Sequence, residues 1–132
     1  MLTYLWIALG SALGGMARYA CSTFVAQTVG GAFPWGTLAV NVVGSFVIGV
    51  FATIGGPDSR WPLSPDARVF VTVGLCGGYT TFSSFSLQTL DLMREGHAGP
   101  AIGNVAASVA LCLVAVWAGV AAGQAFNGLR PG

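Results

Sequence analysis

The third apolar segment of the chain has at its centre Gly77-Gly78-Tyr79-Thr80-Thr81-Phe82-Ser83-Ser84-Phe85-Ser86. Paired glycines and clustered hydroxyls make a poor lipid-facing helix. Backbone that leaves helical geometry at membrane depth is tolerated only where it is buried in protein or lines a wet cavity. The stretch therefore predicts a break in the helix, where freed carbonyls could coordinate a cation and the following half-helix could aim N–H groups at an anion. The alternative is a glycine packing notch with Ser and Thr bonding back to helix carbonyls.

The composition places this segment in a membrane protein. Of the 132 residues, 55% are hydrophobic and 7% are charged, whereas soluble domains carry about 25% charged residues. A soluble fold of this composition would expose large apolar patches, which soluble monomers rarely tolerate. A formal net charge of +1 without a basic run argues against a nucleic-acid partner. Three cysteines without CxxC spacing indicate neither a zinc site nor a disulfide framework.

The apolar segments predict a single all-α membrane domain over residues 1–132. A span needs roughly 20 apolar residues, and the sequence predicts four spans at about 2–29, 36–54, 67–93 and 98–126. Gly55-Gly56-Pro57 ends the second, and Pro100 lies in the first turn of the fourth. Four crossings place both termini on one side. The side with the termini has a few more arginines, including Arg130, than the other side. This difference is too small for the positive-inside rule to fix the orientation.

Polar side chains recur at every fourth residue on the second and fourth segments. They are Thr37, Asn41 and Ser45, then Asn104, Ser108 and Cys112. This spacing puts each set on one helix face. The amide of Asn41 could donate to an anion without adding charge. Interhelical hydrogen bonding is the alternative for both stripes.

Three further side chains could contact an anion. Phe82 and Phe85 are three residues apart and so share a helix face, where the positive ring edges could meet an anion; plain packing is the alternative. Arg18 is costly in lipid unless it faces protein, water or the interface, which indicates either a vestibule that gathers anions or a structural anchor. The only histidine, His97, falls in a predicted loop, so no acid–base catalysis and no enzyme is expected.

The chain closely resembles the Fluc/CrcB family of small fluoride channels in three stretches. They are residues 77–86, Gly36-Thr37-Leu38-Ala39-Val40-Asn41-Val42-Val43-Gly44-Ser45-Phe46, and Gly14-Gly15-Met16-Ala17-Arg18-Tyr19. The resemblance covers nearly the whole chain. It implies a passive fluoride-selective channel that exports toxic fluoride, a multi-pass protein in the bilayer of the cell inner (plasma) membrane. It also implies an antiparallel, dual-topology homodimer with a broken third helix.

The resemblance also implies the site residues. A structural sodium ion (Na⁺) at the dimer interface would be held by the backbone carbonyls of Gly77 and Thr80, and Arg18 would lie in the vestibule. The fluoride pathway would contain Asn41, Phe82, Phe85, Ser83, Ser84, Ser108 and Asn104. The sequence departs from the family at Ser84, often threonine, at Gln88, often an acid, and at Asn104, an aromatic in some members.

Two other functions remain open. A small multidrug-type, proton-coupled transporter would also have four spans, but it would need an acidic residue in the first span, and none is there. A non-conducting membrane scaffold would use the polar stripes only to hold helices together.

Overall fold

The computed structural model describes residues 1–128, so Arg130 lies outside the described residues. Within that range the secondary structure is helical, without a strand, as predicted. The elements are α1 (Leu2–Val29), α2 (Trp35–Ile54), α3 (Pro65–Val69), a π-helix (Phe70–Cys76), α4 (Gly77–Tyr79), α5 (Phe82–Arg94) and α6 (Ala98–Gly128). The elements α3 to α5 follow one another in the third apolar segment, which gives four helical segments in all.

The first connection turns on two glycines. α1 is capped by Gly30, whose N–H donates to the Ala26 carbonyl. Gly30 and Gly31 have φ angles of 70° and 83°, in the left-handed region that only glycine enters without cost. The chain then passes Pro34 and enters α2, so the two helices are joined by a short loop.

The third segment changes its backbone geometry twice. Ser64 caps α3 by accepting the Ala67 N–H, and the helix widens into the π-helix from Phe70. α4 ends at Tyr79, after which Thr80 (φ −82°, ψ 160°) and Thr81 (φ −153°, ψ 117°) are extended. α5 then begins at Phe82. This two-residue stretch, Thr80–Thr81, is called the interruption below.

Glycines set the helix crossings. A methyl group added at Gly119 of α6 would collide with the Phe46 carbonyl oxygen of α2, and one at Gly49 with the Val116 carbonyl oxygen. At the crossing of α1 with the third segment, the Cβ position of Gly10 lies 2.6 Å from the Phe70 carbonyl oxygen. Small residues of this kind let membrane helices approach closely.

Two helices, α2 and α6, are long and apolar enough to cross a membrane by length and composition. Only 28% of the most apolar stretch of α2 and 11% of that of α6 is buried, whereas the core helix of a soluble protein would be mostly buried. Large side chains of α6 such as Val109, Leu113 and Trp117 are exposed. The outward apolar faces suit contact with lipid.

Candidate anion pathway

Asn41 of α2 binds the interruption through two hydrogen bonds. Its Nδ2 donates to the Thr81 carbonyl oxygen at 2.9 Å, and its Oδ1 accepts the Thr81 N–H at 2.8 Å. The two bonds together fix which way the amide faces. An asparagine amide has two N–H groups, so one remains for a further acceptor.

The Thr81 hydroxyl organises the start of α5. Its Oγ1 accepts the Ser84 N–H at 3.2 Å, as an N-cap residue does. The same oxygen lies 3.1 Å from Ser84 Oγ and 3.3 Å from Ser83 Oγ. Three hydroxyls therefore cluster where α5 begins.

Arg18 of α1 contacts the other residue of the interruption. Its Nη1 donates to the Thr80 carbonyl oxygen at 3.3 Å. The N–H and the hydroxyl of Thr80 both donate to the Cys76 carbonyl, at 3.0 and 2.9 Å. Each polar backbone group of Thr80 thus has a partner although the helix has ended.

Two cavities flank the interruption. The first, called the Arg18 cavity, has a volume of about 610 Å³ and is lined by Arg18, Thr37, Ser84, Gln88, the loop between α1 and α2, and the start of α2. The second, called the Asn41 cavity, has a volume of about 460 Å³ and is lined by Asn41, Ser45, Thr80, Phe82, Phe85 and Ser108. Thr81 lines both. The polar stripe of α2 therefore begins in one cavity with Thr37 and continues in the other with Asn41 and Ser45.

The two phenylalanines form one aromatic wall of the Asn41 cavity. Their ring centroids are 5.3 Å apart and the ring planes are inclined by 50°. Phe82 is 79% exposed. The rings are packed on each other and present surface to the cavity.

Asn104 lies behind the cavity wall. It is 1% exposed and does not line either cavity. Its Nδ2 donates to Thr89 Oγ1 at 2.9 Å, and its Oδ1 accepts from Ser108 Oγ at 3.4 Å. Because Thr89 Oγ1 donates to the Phe85 carbonyl at 2.7 Å, a hydrogen-bonded chain runs from α5 to Ser108. A direct place for Asn104 on the pathway stays a prediction.

The structure brings most of the predicted residues to the two cavities. Ser83 is exposed and joins them only through Thr81, and Asn104 joins through Ser108. Thr81 and Thr89 were not among the predicted site residues. Thr81 could have been identified as a helix N-cap from its position three residues before Ser84. For Thr89 the sequence offers only its position one helical turn after Phe85.

Cation ligands in this region would be uncharged oxygen atoms, of which the backbone carbonyls are one source. Among residues 1–128 no group of three or more His, Cys, Asp or Glu side chains could hold a metal ion. Gly77 and Thr80 both line the Asn41 cavity. Carbonyl oxygens at an unwound helix are suitable ligands for a small hard cation such as sodium.

Comparisons with known proteins agree on one family. The family model described as CrcB-like protein, Camphor Resistance (CrcB), matches residues 5–120. A protein of Methylocella silvestris is 54% identical over 129 residues, which are 98% of each chain. One of Opitutus terrae is 57% identical over 130 residues, again 98% of each. One of Rhodospirillum rubrum is 55% identical over 118 residues, 89% of this chain and 92% of the other. All three are named fluoride-specific ion channel FluC.

Proposed function

The chain belongs to the CrcB family, and from that membership and the geometry of the two cavities we propose that it is a passive, fluoride-selective channel that exports toxic fluoride. The relatives carry the name of an ion channel rather than of an enzyme. The observation that carries the proposal is that Thr81, which Asn41 binds, lines both cavities. In the proposed path the ion moves from the Arg18 cavity past Thr81 to Asn41.

Uncharged donors suit this path. Fluoride is small and strongly hydrated, so the protein must replace its water shell with hydrogen-bond donors. Thr37, Ser84 and Asn41 line the two cavities with hydroxyl and amide donors, and Ser108, whose hydroxyl donates to Asn104, lines the second. Conduction also requires that binding be weak enough for the ion to leave, which neutral groups allow better than a row of cations.

Arg18 supplies the one cationic side chain of the described pathway. It lines the Arg18 cavity, where its charge would raise the local concentration of anions. Its hydrogen bond to the Thr80 carbonyl holds it beside the interruption. We propose this cavity as the vestibule.

The proposed architecture is a dual-topology homodimer that crosses the inner membrane several times, with the interruption as the break in the third crossing. Gly77 and Thr80 offer one carbonyl oxygen each from one chain. A hard cation prefers a fuller shell of oxygen ligands, which a second, twofold-related chain would complete. A sodium ion bound there would join the subunits and shield the carbonyl dipoles that face each other.

Fluoride efflux from liposomes tests the function. Vesicles that contain the purified chain should release fluoride, measured with an ion-selective electrode, when valinomycin balances the charge. Phe82→Ile and Asn41→Asp should lower this flux by about tenfold or more, which corresponds to about 1.4 kcal/mol. Val43→Leu, on the exposed side of α2, should conduct like the wild type.

The same vesicles discriminate the other functions. Uptake of a drug cation driven by a proton gradient would support a multidrug-type transporter instead. Vesicles as tight to fluoride as empty ones would contradict the channel and leave the scaffold.

A further inference from the structure

The hydrogen bonds of Asn41 replace those of a helix. In an uninterrupted α-helix the N–H of residue 81 would donate to the carbonyl oxygen of residue 77. Here the Thr81 N–H donates to Asn41 Oδ1 at 2.8 Å, while Asn41 Nδ2 donates to the Thr81 carbonyl at 2.9 Å. One side chain from α2 thus satisfies both backbone groups of Thr81, as a neighbouring strand would.

This pairing has a consequence for Gly77. Buried backbone groups are almost always hydrogen-bonded, so an extended Thr81 at membrane depth needs a partner other than its own helix. Without Asn41, the Thr81 N–H would regain a partner most simply by forming the helical hydrogen bond to the Gly77 carbonyl. With Asn41 in place, that carbonyl is released from this bond beside a cavity that Gly77 itself lines.

We propose that Asn41 is a positioning residue for the cation at the interruption: by holding the Thr81 N–H, it keeps the Gly77 carbonyl oxygen available to the ion. The inference rests on the sodium site of the proposed function. It gives Asn41 a second task beside the anion pathway, since one amide N–H faces Thr81 and the other is left for an anion.

Two substitutions at position 41 distinguish the two tasks of Asn41. Asn41→Ala removes the acceptor for the Thr81 N–H, so both sodium binding and fluoride flux should suffer. Asn41→Asp keeps an acceptor for the Thr81 N–H, but an ionised carboxylate cannot donate, so the bond to the Thr81 carbonyl is lost and fluoride is repelled. The aspartate variant should therefore lose flux and keep sodium binding.

The experiment is a sodium titration of thermal stability. The purified full chain in detergent is unfolded by heat at increasing NaCl concentrations, with choline chloride holding the ionic strength constant. The concentration for half-maximal stabilisation should rise by about tenfold or more in Asn41→Ala and stay within about threefold of the wild type in Asn41→Asp. Val43→Ala is the matched control, because Val43 lies on the exposed side of the same helix and should leave the midpoint unchanged.

The outcomes distinguish this inference from the sodium site itself. A wild type that sodium does not stabilise would overturn both. A wild type that sodium stabilises, with Asn41→Ala showing the same midpoint, would overturn only the role of Asn41. Loss of the sodium response in Asn41→Asp but not in Asn41→Ala would overturn it as well, because the retained oxygen would then be irrelevant. If Asn41→Ala does not fold, Asn41→Leu, which has similar size and no acceptor, takes its place, and an unchanged midpoint in that variant would overturn the role of Asn41.

Discussion

The contact of α1 with the third segment makes Gly14→Ala a sensitive perturbation of the interruption. A methyl group at Gly14 would collide with the Leu75 carbonyl oxygen and would lie 2.8 Å from the Tyr79 nitrogen and 3.1 Å from the Gly78 carbonyl carbon. All three atoms belong to backbone. No side chain can rotate to make room, so the two segments themselves must separate.

The cost of that separation is large for a single methyl group. Ordinary contact begins at 3.4 Å, so the segments must part by up to about 1 Å, and a gap of about 0.5–1 Å forfeits a quarter to a half of the dispersion energy along a contact. Overpacking costs about 1–3 kcal/mol, and a rigid backbone neighbour favours the upper part of that range. For a chain of this length, about 2–3 kcal/mol lowers the melting temperature by roughly 5–15 °C.

Gly15→Ala is the matched control, because nothing lies within 4 Å of the Cβ position at Gly15. Alanine there gains about 0.5–1 kcal/mol of helix propensity, so this variant should melt at or slightly above the wild type. The assay is thermal unfolding in detergent followed by tryptophan fluorescence, together with fluoride efflux from liposomes. Efflux should fall in Gly14→Ala only. Equal melting temperatures for the two variants would refute the packing argument.

Two more substitutions test the walls of the pathway. Gln88→Glu places a carboxyl, with an ordinary pKa of about 4.3, in the Arg18 cavity. Because members of the family often have an acid at this position, fluoride flux at pH 7 should stay within about threefold of the wild type; a fall of about tenfold or more would contradict this. Thr89→Val leaves the buried Asn104 Nδ2 without its acceptor and should cost about 1–3 kcal/mol of unfolding free energy, measured by thermal melting against the exposed control Thr28→Val.

The limits of the helices could be predicted because their signals are local. α1 occupies the predicted residues 2–29, since Gly30-Gly31 ends it, and α2 begins at Trp35, one residue before the predicted start. Each boundary depends on glycine or proline within a few positions. The π-helix Phe70–Cys76 was not predicted. Its contacts with Gly10 come from α1, which no pattern within residues 70–76 reveals.

The candidate site, too, could be predicted only where its signals lie close together in sequence. Residues 77–86 marked the region of the interruption, because glycines and hydroxyls cluster there in sequence. The extended residues are Thr80 and Thr81, and the partner that satisfies Thr81 is Asn41, 40 positions away. Likewise, the spacing of Asn104 and Ser108 left a pathway role and interhelical hydrogen bonding open, and in the structure Asn104 bonds to Thr89 and Ser108. Spacing along one helix does not show which neighbour will take a side chain's hydrogen bonds.

The chemistry at position 41 explains why an amide suits it. A side-chain amide has the same donor and acceptor separation as a peptide group, so it can pair with the N–H and C=O of one extended residue at once, as Asn41 does with Thr81. A hydroxyl has one proton and cannot do both and still donate to an ion, and a carboxylate has no proton to give. Among neutral side chains of this length, only an asparagine pairs with the backbone twice and retains a free N–H. One residue can therefore both keep the helix interrupted and bind a passing anion, because the two tasks together require an uncharged group with two donors and one acceptor.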